Sequence, residues 1–438
     1  MLAMVSTLGK VLDARLAFRL AILCSGMLLA DDRRTVSSWL VAAGVLDDWD
    51  RFYDCLVSIG RVTGRVARML LIMLVKKLRS GKGGRIVLGI DDSPTKRYGK
   101  HVEGAGVHHN PTPGTVGSEW LYGHNWVALA WLETHPIWGV IALPLLSRLY
   151  VRECDVPSLH TKYGWKFRTK HELALELVQW FMAWCRGLGW NFTVWTVFDG
   201  AYAARPLLIP LMQLGVTVVS RLRKDAALFD LPVTETQTRR GRKRKYGLHK
   251  LSLKKRAASA GGWTTMTYLC RGVEVTRQYK TFLATTELVG GTIRVVLLRY
   301  EDGSWAPYFC TDTSASVHDI LTTVAARWSL EEHFHDMKEV WGAGEQQVRN
   351  VWSNIACWHL NQWMCTLVEL CSWDVPAEQL VDRSDRSWDN PERRPSHADK
   401  KRRIAREMLR ETINTALCLP PNPLEIRRLV ENLLTLCV

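Results

Sequence analysis

Three separated acids in this chain could do chemistry together. The segment RWSLEEHFHDMK, Arg327 to Lys338, has helical spacing: at about 100° per residue, Arg327, Glu331 and Lys338 fall within roughly 40° of one another while Glu332 points away. One helix face therefore carries a cation, an anion and a cation in line. Alone, this is also the pattern of a solvated face with an i, i+4 ion pair. Two other stretches add acids in a different setting. RIVLGIDDS, Arg85 to Ser93, is a short apolar run with β-branched residues that follows Gly-Gly and ends in two carboxylates; NFTVWTVFDG, Asn191 to Gly200, is an apolar run that stops at Asp199. Both read as buried strands. An acid at the end of a buried strand holds a ligand rigidly at a sheet edge, although Asp also caps turns well. Three carboxylates, Asp91, Asp199 and Glu331, can support a pair of hard divalent cations such as Mg²⁺ about 4 Å apart. Such a pair activates a water or a 3′ hydroxyl on one side of a phosphodiester and stabilises the leaving oxygen on the other. The chemistry implied is phosphoryl transfer on a nucleic acid.

The elements that must position these acids follow from the surrounding pattern. WVALAWL (126–132) and WGVIALPLL (138–146) flank a short His-Pro turn and read as an antiparallel hairpin beside the Arg85 strand. TKHELALELVQWFMAW (169–184) has Thr169 and Glu172 in capping-box spacing ahead of an apolar helical face. The Asp199 strand, a helix near AARPLLIPLMQLG and the strand VTVVSRL follow. Three antiparallel strands, then helix, strand, helix, strand, is the ribonuclease-H-like order. It puts Asp91 and Asp199 on neighbouring central strands. The expected fold class is thus α/β, a mixed sheet flanked by helices.

Composition narrows the partner. The chain has 438 residues, enough for more than one domain, and 58 basic against 43 acidic side chains give a formal charge of +15. Such an excess favours a polyanion, because neutralised phosphates release counterions. An acidic membrane surface would also attract it, but no apolar run reaches the roughly 20 residues of a span, and LAILCSGMLLA (20–30) is expected to be a buried helix rather than a leader. The cysteines are scattered without a C-x-x-C pair, which points to reduced thiols and a cytoplasmic protein. His108 and His109 lie in a breaker-rich stretch without companions at metal-ligand spacing, so hydrogen-bonded loop histidines are expected there rather than a zinc site.

The motifs together resemble the DDE transposases of bacterial insertion sequences, in particular those with a Y-x2-R-x3-E-x6-K signature. Here that signature reads Val324, Arg327, Glu331, Lys338, with the spacing kept and the tyrosine replaced. IDDSPTK, VFDGAYAARP, SRLRKDAALFD and RWSLEEHFHDMK occur in the family's order, and the resemblance spans roughly 84 to 350. It implies that Asp91, Asp199 and Glu331 are both catalytic and metal-binding, with Mg²⁺ as the ion and Mn²⁺ able to substitute. The first acid occurs as D-x-T or D-x-S, which selects Asp91 and leaves Asp92 as the alternative. The reaction implied is nicking at transposon ends followed by strand transfer. A metal-dependent nuclease without strand transfer and a catalytically inactive DNA-binding relative are the competing readings. The implied partner is double-stranded DNA, both terminal inverted repeats and target, bound by a homodimer in the bacterial cytoplasm and at the nucleoid, with no membrane involved.

The resemblance also suggests an organisation. Residues 1–80 read as a helical N-terminal domain, possibly DNA-binding; 84–221 as the first part of the catalytic core; 222–312 as an all-β insertion; 313–375 as the second part of the core, with the helix continuing from GAGEQQVRN; and 376–438 as a mobile linker (382–403) with C-terminal helices. For DNA contact the candidates are Arg327 and Lys338 on flanking phosphates, Lys96 and Lys100 just past Asp91, and Arg242, Lys243, Arg244 and Lys245 within a run (239–256) of ten cations and no acid. Such a run is more usually a solvated face. Trp263 and Trp305 are candidates for stacking on an unpaired base, against the plainer role of core filler.

Overall fold

The computed structural model describes residues 1–79, 83–110, 117–232, 244–381, 388–390 and 392–418. The chain opens with α1 (Leu2–Gly9), α2 (Ala14–Leu29), α3 (Val36–Ala42), α4 (Asp50–Arg61) and α5 (Thr63–Leu78). Asp13 starts α2 by accepting from the Arg15 and Leu16 N–H groups, and Thr35 caps α3 through Ser38 N–H. The run 20–30 is accordingly a buried helix, and no helix among the described residues is long and apolar enough to cross a membrane. These helices do not bury their apolar faces on one another alone. Leu20, Leu56 and Leu70 belong to the same continuous cluster as Ile90 and Leu360. At Gly60 of α4 a Cβ would lie 2.0 Å from the carbonyl oxygen of Trp352, so only glycine permits this crossing.

The sheet starts with β1 (Gly83–Lys96), β2 (Gly106–His109), β3 (Trp120–His135) and β4 (Gly139–Tyr150). β3 runs antiparallel to β1 with Ile90 opposite Leu129, and β4 closes the hairpin on β3. Next come α6 (Val156–Tyr163) and α7 (Lys170–Gly187), the latter begun by the complete Thr169–Glu172 capping box. Then follow β5 (Asn191–Phe198), α8 (Arg205–Gln213) and β6 (Thr217–Arg221). β5 is parallel to β1, with Ile90 opposite Phe198, and β6 is parallel to β5. The order β4-β3-β1-β5-β6 is ribonuclease-H-like, and the mixed sheet flanked by helices agrees with the fold class read from the sequence.

The expected all-β insertion differs in two ways. It consists of β7 (Leu228–Phe229), β8 (Lys250–Leu251), α9 (Leu253–Ala258), β9 (Thr264–Cys270), β10 (Val273–Thr286), β11 (Gly291–Arg299) and β12 (Trp305–Cys310), so it includes a helix, capped by Ser252, inside the basic run. It is also no separate sheet. β12 pairs with β6, and the order continues β6-β12-β11-β10 in one sheet. The central sheet had a free edge at β6, and edge strands seek partners.

The chain then returns through α10 (Val317–Ala326), α11 (Trp328–Glu339), α12 (Val351–Ser372), α13 (Ala377–Leu380) and α14 (His397–Cys418). Helix α12 starts at Val351 with Asn350 as cap, not at the preceding GAGEQQVRN. Gly342 and Gly344 there have φ of 67° and 108°, and the Arg97 guanidinium donates to the Gly344 and Gln346 carbonyls instead. The linker expected over 382–403 is also corrected from His397 onward, where α14 begins and packs on α12 and α2. Its charges are buried in pairs, which a composition argument reads as solvated. Glu369 of α12 accepts from Lys400 Nζ at 2.5 Å and pairs with His397 Nδ1 at 2.7 Å, and Arg393 and Arg402 both hold Asp399. Despite full burial, these partners keep the Glu369 carboxyl well below the usual range. The second C-terminal helix expected from the sequence, PLEIRRLVENLLTLC, lies outside the described residues.

Removing one member of such a buried group strands the other charges. We expect Glu369→Ala to cost about 3–5 kcal/mol of stability, as breaking a buried ion pair does, measurable as a lower denaturant midpoint. A loss under about 1 kcal/mol would show that water reaches Lys400 and His397.

Candidate active site

Strand register sets the first two acids. One step past the Ile90–Phe198 pair, β1 continues into Asp91 and β5 ends at Asp199, so both carboxylates stand at the same edge of the sheet. Alternation along β1 sends Asp91 and Asp92 to opposite faces. Asp91 faces α11: Arg327 donates through Nη1 to Asp91 Oδ2 at 2.9 Å and through Nη2 to Glu331 Oε1 at 2.8 Å. Asp92 faces α7, where Oδ2 accepts from Lys170 Nζ at 2.7 Å and Oδ1 from the Tyr202 hydroxyl at 2.9 Å. Of the two neighbouring acids, Asp91 is therefore the one gathered with Glu331. Asp199 is exposed and also caps the short 3-10 turn Gly200–Tyr202, its Oδ1 accepting from Gly200 N–H at 2.5 Å.

Glycine makes the approach of α11 possible. A Cβ at Gly89, two residues before Asp91, would lie 2.9 Å from Leu330 Cδ1 and 3.0 Å from Leu132 Cδ2. Leu330 thus fills the missing side chain's place, and the adjacent Glu331 is carried to the strand end. Desolvation follows from this packing. Burial pushes the Asp91 carboxyl up to about 6; Arg327 and the Asp92 N–H pull it down, and the negative charges of Asp92 and Asp199 add to the rise. The Tyr202 phenol is raised well above its ordinary value, by burial first and then by Asp92.

Beside the acids is a cleft of about 290 Å³, lined by Asp199, Arg327 and Trp328 from the core and by Tyr268, Arg271 and Tyr300 from the insertion, with Arg221 at its rim. Arg271 occupies the two-residue turn between β9 and β10 with φ +53°, followed by Gly272 at +79°, a left-handed pair that tight hairpins require. The turn places the Arg271 guanidinium 3.4 Å from the centre of the Trp328 ring, a cation–π contact.

The other residues expected at the site are scattered. Arg327 is engaged by the two carboxylates rather than held out for phosphates. Lys338 lies two turns along α11 and is partly buried, which lowers its pKa. Lys96 ends β1 about 17 Å along the strand from Asp91, with its ammonium 5.2 Å from the Tyr98 ring, and Lys100 is exposed beyond it. Arg244 and Lys245 are exposed, whereas Arg242 and Lys243 lie outside the described residues. Trp263 donates to the Ser259 carbonyl and stacks under Arg299 and Lys280, and Trp305 lies under Lys224. Neither indole lines the 290 Å³ cleft. His108 is buried on β2 and pushed down to about 4, chiefly by burial, and His109 packs against Trp120.

Four residues escaped the sequence reading. Lys170 and Tyr202 neutralise Asp92, and Arg221 and Arg271 line the cleft. Tyr202 follows Asp199 by three residues, within VFDGAYAARP, a local signal that could have been used. Arg271 and Trp328 are too far apart in sequence for any such signal.

An α/β protein with acids at the ends of two adjacent central strands and on a helix laid against them is defined by this geometry. A family model for DDE superfamily endonucleases matches residues 8–281, and the chain belongs to that family. The matched region contains Asp91 and Asp199 and ends before α11. No curated protein matches. Among solved structures, the chain is similar to a piggyBac transposase in a synaptic complex with hairpin DNA, at 10% identity and a TM-score of 0.41, over 94% of this chain and 84% of that one.

Endonucleases of this family generally use divalent metal ions. Among the described residues, no three His, Cys, Asp or Glu side chains already form a metal-binding group, and Arg327 lies between two of the acids. The donor set nonetheless suits a hard cation, since Asp91, Asp199 and Glu331 all offer carboxylate oxygens.

The two aspartates should respond oppositely to neutralisation. An acid whose folded pKa lies above its unfolded value loses stability for the fold as pH rises between the two, here from about 3.8 to about 6 for Asp91. At pH 7, Asp91→Asn should therefore leave the melting temperature unchanged or raise it. Asp92→Asn should lower it, since Lys170 and Tyr202 lose a charged acceptor. The reverse order in thermal melts would contradict the assigned faces.

Proposed function

We propose that this chain is a DNA transposase of a bacterial insertion sequence, cutting DNA at the ends of the element and joining those ends to a target. The observation that carries the reading is the single guanidinium of Arg327 joining Asp91 of β1 to Glu331 of α11, beside Asp199. It links a strand-end acid to a helix acid that lies far along the chain, which supports a shared site at one sheet edge. Asp91, Asp199 and Glu331 would hold divalent ions, Mg²⁺ with Mn²⁺ as substitute, which when bound activate the attacking oxygen and stabilise the leaving one. The remaining work belongs to the chain. Arg327 balances the charge of Asp91 and Glu331 and keeps both oriented. Lys170 and Tyr202 tie Asp92 back, so that it does not compete with Asp91 for a ligand. The exposed Asp199 faces the cleft, where a phosphodiester can reach it.

The DNA would be double-stranded, comprising the terminal inverted repeats and a target site, held by a homodimer in the cytoplasm. The formal charge of +15 supports a polyanionic partner. A second reading, a DNA-binding relative without activity, is favoured by one observation: Arg327 occupies the space between two of the three acids.

Cleavage and joining of duplexes carrying the flanking inverted repeats, in Mg²⁺ and in Mn²⁺, separates these readings. We expect wild-type protein to give both nicked and joined products. Asp199→Ala and Glu331→Ala should each lose cleavage by more than the roughly 10–100-fold that loss of a supporting partner costs, while DNA binding is largely kept. Nicks without joined products would indicate a nuclease, and retained cleavage in either variant would remove the acid from the site.

A further inference from the structure

β5 and β6 run parallel with Phe198 opposite Ser220. Both strands therefore release the chain at the same edge, and the residues that follow, Asp199 and Arg221, stand side by side. The approach is close: a Cβ at Gly200 would lie 3.2 Å from the Arg221 carbonyl oxygen and 3.7 Å from Arg221 Cβ. Arg221 is exposed, and among the described residues it forms no ion pair. It also belongs to two clefts at once. One is the 290 Å³ cleft that contains Asp199; the other, about 340 Å³, is formed by Gly200 and the chain from Arg221 to Asp225. Arg221 is the residue common to both hollows, at the ends of β5 and β6. The second hollow also contains Lys224, its ammonium 4.9 Å from the Trp305 ring.

The charge balance around the acids makes this cation significant. Arg327 is compensated by Asp91 and Glu331, and Arg223 by Asp225. A phosphodiester brought to Asp199 would meet a negative edge unless an uncompensated donor stood next to it, and a guanidinium suits a phosphate because two of its N–H groups can bind at once.

We propose that Arg221 binds the DNA backbone at the phosphate beside Asp199, and that the strand runs from the Asp199 cleft past Arg221 towards Lys224 of the second hollow. This rests on the reading of the chain as a DNA-processing enzyme and adds a substrate-binding residue and a strand path to it.

The test is the salt dependence of binding to a fluorescent DNA duplex of arbitrary sequence, without divalent metal, for wild-type protein, Arg221→Ala and Arg221→Lys. One phosphate contact contributes about 0.9 to the slope of log K against log salt. We expect Arg221→Ala to bind more weakly at low salt and to lose that increment, so that its affinity falls about threefold less than wild type between about 50 and 200 mM salt. Arg221→Lys should restore the slope. If wild type binds and Arg221→Ala has the same slope and affinity, the assignment of Arg221 is overturned while the reading of the enzyme stands. A deficit that lysine does not restore points to a structural effect and overturns it equally. Wild-type protein showing no salt-dependent binding would overturn both.

Discussion

A single guanidinium joins the acids of two distant parts of the chain. Asp91 is fixed to the sheet and Glu331 to a helix, and two carboxylates brought to one edge repel each other in a partly desolvated place. Arg327 answers that repulsion with two charge-assisted hydrogen bonds, one to each. Because Arg327 and Glu331 are four residues apart on one helix surface, the same contact that balances the charge also fixes the rotation of α11 over β1. A helix turned by one residue, about 100°, would carry Glu331 away from Asp91. The packing below is equally specific, since Leu330 lies where a side chain at residue 89 would otherwise be. Apolar contact sets the distance between helix and strand, and the ionic contact sets the angle.

The insertion acts on the same helix from the other side. By pairing β12 with β6 it continues the sheet beyond the core, and the β9–β10 hairpin then packs through β9 on α10 and reaches α11 with its tip, at Trp328. Its turn is strained for a residue with a side chain, as Arg271 sits at φ +53°, and such strain persists where surrounding contacts hold it. Here the holding contact is the face of Trp328. Helix α11 is thus clamped between strand β1, through Leu330 and Arg327, and a hairpin tip, through Trp328. The start of α11 carries all three contacts, and two of them, Arg327 and Trp328, line the cleft that contains Asp199.

What the sequence shows of this and what it hides divide along a physical line. Local signals are legible. The short apolar runs ending at Asp91 and Asp199, the hairpin after Trp126, and the Thr169–Glu172 capping box all depend on neighbours within a few residues. The helical period of Arg327, Glu331 and Lys338 likewise showed that Arg327 shares a face with Glu331. It did not show that Arg327 spends its other donor on Asp91, so the expectation that it meets phosphates missed the closer acceptor. The composition of 382–403 suggests a mobile linker, which fails where α14 begins: Lys400 and Asp399 are buried because partners from α12 and from residues around Arg393 meet them. The insertion was seen as strands, but nothing within residues 222–312 announces which edge those strands will join. The long-range partner, not the local pattern, decides each of these outcomes.

The distribution of cations around the acids has a logic of its own. In a chain of +15 formal charge, placing three carboxylates at one sheet edge makes a local minimum of potential inside a positive surround. The arginines nearest that minimum fall into two groups. Arg327 is partnered by two carboxylates, so it contributes little net attraction for another anion. Arg221 and Arg271 have no carboxylate partner among the described residues; one stands at an exposed strand end and the other lies flat on an aromatic ring, a contact that leaves the guanidinium edge able to donate. A polyanion drawn to the surface by the overall charge would meet Arg271 from the insertion and Arg221 at the strand end, both lining the cleft that contains Asp199. That arrangement requires the insertion to be part of the same sheet, because only a continuous sheet from β1 to β10 fixes the turn at Arg271 relative to the carboxylate on β5.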